Sequence, residues 1–274
     1  MRYPAVAGTY YPSDKTELKA EIDKLLTAAD AESAADPLKG IGAIVVPHGQ
    51  LIECGDVMAA AYARLRGVQE FTTFVVVGTD HFGKGRPIAI SREDWRTPFG
   101  IVKNDRELAD AIGREAVFAD FDEKAHNFEP ACEVQLPFIQ AAVGGVRCVE
   151  ISVASHTFDI AKDLANAIDK AAISAGRDII LVCSTDFSND VAPDRSEKED
   201  SDIFDYVEKM NAKGMMDEIE SIGSSICGPA VLGTAMIYAE MAGISPRLLK
   251  RKPLPTGKKD SVKSFVSIAF GKTG

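Results

Sequence analysis

A chain of 274 residues, 46% hydrophobic and 26% charged, has the composition of an ordinary folded protein and can bury a sizeable core. Its formal net charge of -10 argues against a nucleic-acid binder, because such proteins concentrate Lys and Arg to displace counterions from phosphates. Five widely spaced cysteines with no CxxC pair, no signal peptide and no apolar run of the ~18 residues a membrane span needs predict reduced thiols in a soluble, cytoplasmic protein.

In chain order, Asp14 can cap a helix in which Leu18, Ile22, Leu25 and Leu26 recur at helical spacing. An Ala/Asp/Glu-rich stretch, Thr27 to Pro37, reads as a loop before a buried strand at Ile41 to Val46. Gly55 to Leu65 reads as a helix and Phe71 to Val77 as the second strand, which completes a βαβ unit with a right-handed crossover. Pro87 to Ser91 is a short strand, Trp95 to Gly100 a turn, and Asp105 to Ile112 and Glu133 to Val143 are helical. Strands follow at Cys148 to Val153 and Asp178 to Val182, separated by a helix over Asp159 to Ser174.

The charged segment Ala192 to Asp200 reads as an exposed, mobile loop entering a helix at Ile203 to Met210. A turn at Ser221 to Pro229 precedes a helix running to about Met241, and Phe265 to Phe270 supplies a last strand. The basic cluster Arg247 to Lys259, broken by two prolines, reads as a solvated loop. The length favours one domain over residues 1–274.

Three hydrophobic runs each end in a polar or ionisable cluster. GAIVVPHG delivers His48, TFVVVGTDH delivers Asp80 and His81, and DIILVCSTDFSND delivers Asp186. Apolar runs without polar alternation are strands buried on both faces, hence a parallel sheet covered by helices. Ligands of such sheets sit beyond the carboxyl ends of the strands, where these side chains lie.

His48 and His81 at two strand ends can share a metal, or each can be a satisfied structural histidine. Cys227, in SSICGPAVLGTAM, precedes a helix N-terminus that would favour a metal-binding thiolate; the plainer reading is a small buried hydrophobe. Cys54 and Cys183 are weaker candidates, and Cys132 and Cys148 read as core. Asp186 and Asp80 can orient a histidine, accept a proton or cap a helix. His156 reads as a cap or surface residue and Glu133 as a helix-dipole partner, while one of His126 and Glu129 in AHNFEP is expected to face the pocket.

Taken in order, RYPAVAGTYYPSD, VVPHG with AAAYARL, VVVGTDHFGKG, DWRTPFG, EVQLPF, STDFS and the ICGP segment resemble the Memo-like family, whose archaeal and bacterial members are often called AmmeMemoRadiSam system protein B. The resemblance is nearly end to end. It implies a three-layer α/β/α fold with a mostly parallel central sheet, similar to the class III extradiol dioxygenases, where two histidines and a carboxylate hold non-haem iron(II), with a cysteine in the carboxylate's place. Carried over, His48, His81 and Cys227 are the metal ligands. Two positions depart from the family pattern: Pro130 stands where EHS supplies a histidine, and Asn189 where a histidine follows SSDF. Asn189 can hydrogen-bond a ligand but cannot shuttle a proton near neutral pH.

The resemblance implies an oxygen-dependent redox protein with iron(II), or copper, in which Asp186, Asn189 and His126 serve the reacting ligand. Zinc on the same ligands would instead make a hydrolase. The alternative is a non-catalytic module that uses the pocket to recognise a small molecule, a peptide or a partner protein. A purely structural histidine and cysteine cluster is the third. A homodimer is the default assembly.

Overall fold

The apolar runs form the centre of one mixed sheet in the computed structural model, which describes residues 1–35, 38–69, 72–83 and 85–272. Helix α1 (Lys15–Ala35) leads to β1 (Lys39–Val46), α2 (Leu51–Tyr62) and β2 (Thr73–Thr79). Then come β3 (Ile88–Ile90), β4 (Trp95–Thr97), β5 (Gly100–Asn104), α3 (Arg106–Glu115), β6 (Ala119–Phe121), α4 (Pro130–Glu133) and α5 (Gln135–Ala142). The second half runs β7 (Arg147–Val153), α6 (Phe158–Ala175), β8 (Ile179–Ser184), β9 (Asn189–Val191), α7 (Pro193–Glu208), α8 (Ala212–Ile222), α9 (Pro229–Ala242), β10 (Ser245–Pro255) and β11 (Val262–Lys272).

Across the sheet the order is β10, β11, β1, β8, β2, β7, β3, β6. Strands β1, β8, β2 and β7 are mutually parallel, and antiparallel strands flank them: β11 on β1, and β3 on β7. Every residue of β2 is buried because both faces are covered. Val75 and Val77 pack with Leu108, Leu164, Met215 and Leu232 from α3, α6, α8 and α9. Phe74 and Val76 pack with Leu18, Met58 and Phe138 from α1, α2 and α5. The expected three-layer α/β/α architecture is therefore present, with a parallel centre and antiparallel margins.

Strand β8 lies between β1 and β2, in register Val46, Ser184, Gly78. The early βαβ unit therefore has a gap of one strand, filled from far along the chain. That insertion brings the ends carrying His48, Asp186 and His81 side by side.

Several local expectations are corrected. Helix α1 continues through Thr27–Ala35, where a loop was expected; Ala, Asp and Glu are compatible with helix, and the expected Pro37 end lies outside the described residues, as does Phe71 at the expected start of β2. The Trp95–Gly100 turn is the tip of a hairpin between β4 and β5. Residues 192–200 are not an exposed loop: Pro193 opens α7, and Ser196, Glu199 and Asp200 are buried. Arg251 explains this, since its Nε donates to Asp200 Oδ2 at 2.7 Å and its guanidinium reaches Ser196 Oγ at 3.1 Å.

Arg251 belongs to β10, so the basic cluster is edge strand as far as Pro255 and loop only over residues 256–259; the strand's positive side chains suit an edge that must resist pairing with another chain. Helix α8 occupies a stretch whose sequence reading is silent, capped by Asn211 and ended by Gly223 at φ 58°.

Candidate metal centre

At the carboxyl ends of β1, β8 and β2, His48 and His81 meet edge to face with ring centroids 4.9 Å apart. Cys227 arrives from the loop before α9, its Sγ 3.4 Å from His48 Nε2. One ligand atom from each of the three residues lies within 4.8 Å of the others, a grouping of the kind that can hold a metal ion.

The hydrogen bonds around the rings fix which nitrogens face this point. Ser184 Oγ donates its one proton to Ala131 O at 2.7 Å and accepts from Gln135 Nε2 at 2.8 Å. Gln135 is itself oriented by the Tyr62 hydroxyl, which donates to its Oε1 at 2.9 Å. Ser184 can therefore only accept from His48 Nδ1, 3.1 Å away, so Nδ1 carries a proton and Nε2 is the nitrogen turned to Cys227.

His81 is set the same way by a different partner. Its Nδ1 donates to Glu129 Oε1 at 2.9 Å and its backbone N–H donates to Oε2 at 2.8 Å, leaving Nε2 as the free donor atom. A histidine whose second nitrogen is held by a carboxylate or hydroxyl is in the state that binds metals. Both rings satisfy that test.

The cysteine seat is made by close backbone approach. A Cβ on Gly228 would come within 2.6 Å of Thr79 Oγ1 and 2.7 Å of Thr185 Oγ1, so only glycine lets the loop pass between β2 and β8. Asp186 N–H donates to Cys227 Sγ at 3.1 Å. Burial opposes the Cys227 thiolate, but the facing His48 and His81 rings outweigh it and bring the thiol down to about 6. Burial likewise opposes a charged His48, yet Asp186 and Cys227 push it up to about 9. For His81, burial is overcome by Cys227 and Glu129, to about 10. Without a metal the cluster thus stores protons as imidazolium facing thiolate.

The segment carrying Glu129 is locally strained. Phe128 is 68% exposed and sits at φ 66°, a left-handed conformation that costs about 1–3 kcal/mol for a bulky residue. The bend turns Glu129 inward to His81. Just beyond it, α4 packs directly on β2, since a Cβ on Gly78 would lie 2.7 Å from Ala131 Cβ.

A cleft of about 450 Å³ opens over the site, lined in part by His48, His81, Asp186, Pro130 and Asn189. Asp186 Oδ1 accepts from His48 N–H at 2.9 Å and Oδ2 lies 3.9 Å from His48 Nε2. Asn189 is exposed at the rim, and both positions that depart from the Memo-like pattern, 130 and 189, face this cleft. His126 does not line it: the ring is buried edge-on against Trp95 at 5.4 Å, and burial and Arg2 push its pKa down to about 3. Of the pair in AHNFEP, Glu129 serves the site.

Asp80 shapes the loop after β2, accepting from the N–H groups of Phe82, Gly83 and Gly85. Cys54, Cys132, Cys148 and Cys183 are buried, so only Cys227 among the cysteines reaches the site.

Sequence reading misses Ser184 and Gln135 as supports of His48, and Tyr10, Glu53 and Lys263 as cleft walls. Lys263 Nζ donates to Glu53 Oε1 at 2.6 Å. No sequence signal marks that pair, which spans β11 and α2. A larger hollow, about 1040 Å³, lies at the opposite ends of β2 and β7 and is walled by paired charges such as Arg177 with Asp105.

A mixed sheet with two imidazoles and one thiol converging beyond its parallel strands defines an α/β protein with a candidate metal centre. The chain belongs to the Memo-like protein family, whose model matches residues 2–269. It is 32% identical to a MEMO1 family protein of Thermococcus onnurineus, covering 99% of this chain and 100% of that protein. A MEMO1 family protein of Desulfurococcus amylolyticus is 35% identical over 91% of this chain and 90% of its own length. Among solved structures, uncharacterized protein JW3007 from Escherichia coli K12 shares the fold at a TM-score of 0.51 and 15% identity, covering 84% of this chain and 100% of that one. No helix among the described residues is long and apolar enough to cross a membrane.

Proposed function

We propose that the protein binds one transition-metal ion through His48 Nε2, His81 Nε2 and Cys227 Sγ, with iron(II) as its first choice, and presents it to a small molecule in the cleft. The observation that carries this reading is the pair of occupied Nδ1 atoms, which leaves both Nε2 atoms turned toward one partly buried thiol, where a metal ion would take the place of their protons. Two imidazoles and one anion are the donor set of mononuclear iron sites with open positions, and the sulfur also suits copper or zinc. When bound, iron(II) or copper would supply oxygen-dependent oxidation, and zinc would supply Lewis-acid hydrolysis.

The chain's own residues then divide the remaining work. Ser184 and Glu129 hold the rings, and Asp186 anchors the His48 backbone while its second oxygen faces the cleft. Asn189 at the rim offers an amide to the ligand. With Pro130 and Asn189 in place of histidines, the cleft's described lining has no imidazole beyond the two proposed ligands to pass protons, which favours a second reading: recognition of a small molecule or peptide at the metal without turnover.

The test is metal analysis of protein purified without oxygen. About one equivalent of iron in the wild type, lost in both His48→Ala and Cys227→Ala while the fold persists, is the expected result. A wild type that takes up neither iron, copper nor zinc overturns the proposal.

A further inference from the structure

Behind α4, away from the cleft, buried polar atoms gather without protein partners. Glu150 and Ser152 point to the same face of β7, being two residues apart on a strand. Glu150 Oε2 accepts from Asn104 Nδ2 at 3.2 Å, but Glu150 Oε1, Asn104 Oδ1 and Ser152 Oγ meet no hydrogen-bond partner. Neither His126 nitrogen makes a well-formed hydrogen bond, although the Ala89 backbone faces the ring, and Arg2 Nε is unpartnered at the edge of the group.

These residues share one neighbourhood. Ser152 pairs with Ala89 across the β3–β7 ladder, and the Ala89 backbone also runs beside the His126 ring. His126 packs on Trp95, Arg2 Cζ lies 4.3 Å over the same indole, and Trp95 Nε1 donates to Ser91 Oγ at 3.0 Å. Asn104 closes the ring by donating to Ser91 O at 3.2 Å.

We propose that this cluster of buried polar atoms is a binding site for ordered internal water, held by Glu150, Ser152, Asn104 and His126. Buried polar groups are almost always paired, by protein or by water, and a buried water needs several polar partners; dry cavities are apolar. Donors and acceptors are both on hand: the Ser152 hydroxyl, the Glu150 carboxyl and one imidazole N–H can give, while Asn104 Oδ1 and the other imidazole nitrogen can accept. A metal cation fits poorly, because the group offers a single carboxylate and has the Arg2 guanidinium at its edge.

Burial, only partly countered by the Asn104 hydrogen bond, pushes Glu150 up to about 8, so near neutral pH its carboxyl carries a proton that water can accept. The water would tie the N-terminal segment, through Arg2, His126 and Trp95, to the centre of the sheet. This inference does not depend on the metal reading.

A high-resolution crystal structure of the wild-type protein tests it, together with the thermal midpoints of Glu150→Gln and Glu150→Met. Water density bonded to Glu150 Oε1 and to at least one of Ser152, Asn104 and His126 is expected. Glu150→Gln, which keeps a donor and an acceptor, should retain the density and the wild-type Tm; Glu150→Met should lose the density and several degrees of Tm with metal content unchanged. Absence of water density at Glu150 Oε1 overturns the proposal, as does a Met variant as stable as the wild type. If the Met variant fails to fold, the wild-type density decides alone.

Discussion

Glu129 and Glu133 stand four residues apart, flanking and closing α4, and both are 1% exposed, yet they serve opposite ends of the structure. Glu129 turns to the cleft and grips His81 by ring and backbone. Glu133 turns to the N-terminal segment, accepting from Ala5 N–H at 2.9 and 3.0 Å, Val6 N–H at 2.9 Å and the Tyr11 hydroxyl at 2.9 Å, with the Arg2 guanidinium 3.5 Å away. The contrast teaches how one residue type takes two roles. Around Glu133 every contact ends within the protein, whereas around Glu129 the chain of contacts ends on the His81 nitrogen that faces the candidate metal site. The first is a clamp; the second is the back wall of a site.

The comparison breaks most visibly at the clamp. Glu133→Ala leaves two backbone N–H groups, a phenol and a guanidinium without their acceptor, so urea unfolding at neutral pH should show a loss of about 3 kcal/mol or more, while metal per folded molecule stays unchanged. Glu129→Gln is the matched experiment. It keeps the shape but can no longer accept from both the ring and the backbone of His81, and should weaken metal binding about 10–100-fold in competition with a chelator, with little change in unfolding.

A finer cut concerns charge. In metal-free protein the Cys227 thiol should titrate near 6, followed by thiolate absorbance; removing the His48 ring in His48→Ala should move it upward toward the ordinary cysteine range of about 8.5. The last effect is a pH dependence carried by His126. Its folded pKa is about 3 against 6.5 in the unfolded chain, so the unfolded state binds more protons between those values. Stability from this group is therefore intact above about pH 6.5 and falls as the pH drops toward 3. His126→Phe should flatten that part of a Tm-against-pH curve; an unchanged acid slope would show that the ring is not held neutral.

Much of this was legible in the sequence, for reasons that differ by element. Uninterrupted apolar runs such as the one ending at Thr79 demand cover on both faces, so the parallel centre and its helices follow from composition over a few residues. The polar residues at the ends of those runs placed His48, His81 and Asp186 at the correct edge. The charged stretch opening α7 misled because local pattern cannot see Arg251, which lies 51 residues beyond Asp200 and turns an exposed face into a buried one. His126 misled for the same reason: its proximity in sequence to Glu129 says nothing of the Trp95 ring on which it rests.

What the sequence alone determined is therefore the set of buried strands, the reactive residues at their ends and the family to which they conform. What only the tertiary structure decided is convergence. Strand β8 inserts between β1 and β2, Gly228 lets Cys227 slip between two threonines, and Ser184 and Glu129 fix the free nitrogen on each ring. Each of those depends on atoms brought together from distant parts of the chain, and hydrogen-bond direction at a few ångströms is a property that no local pattern encodes.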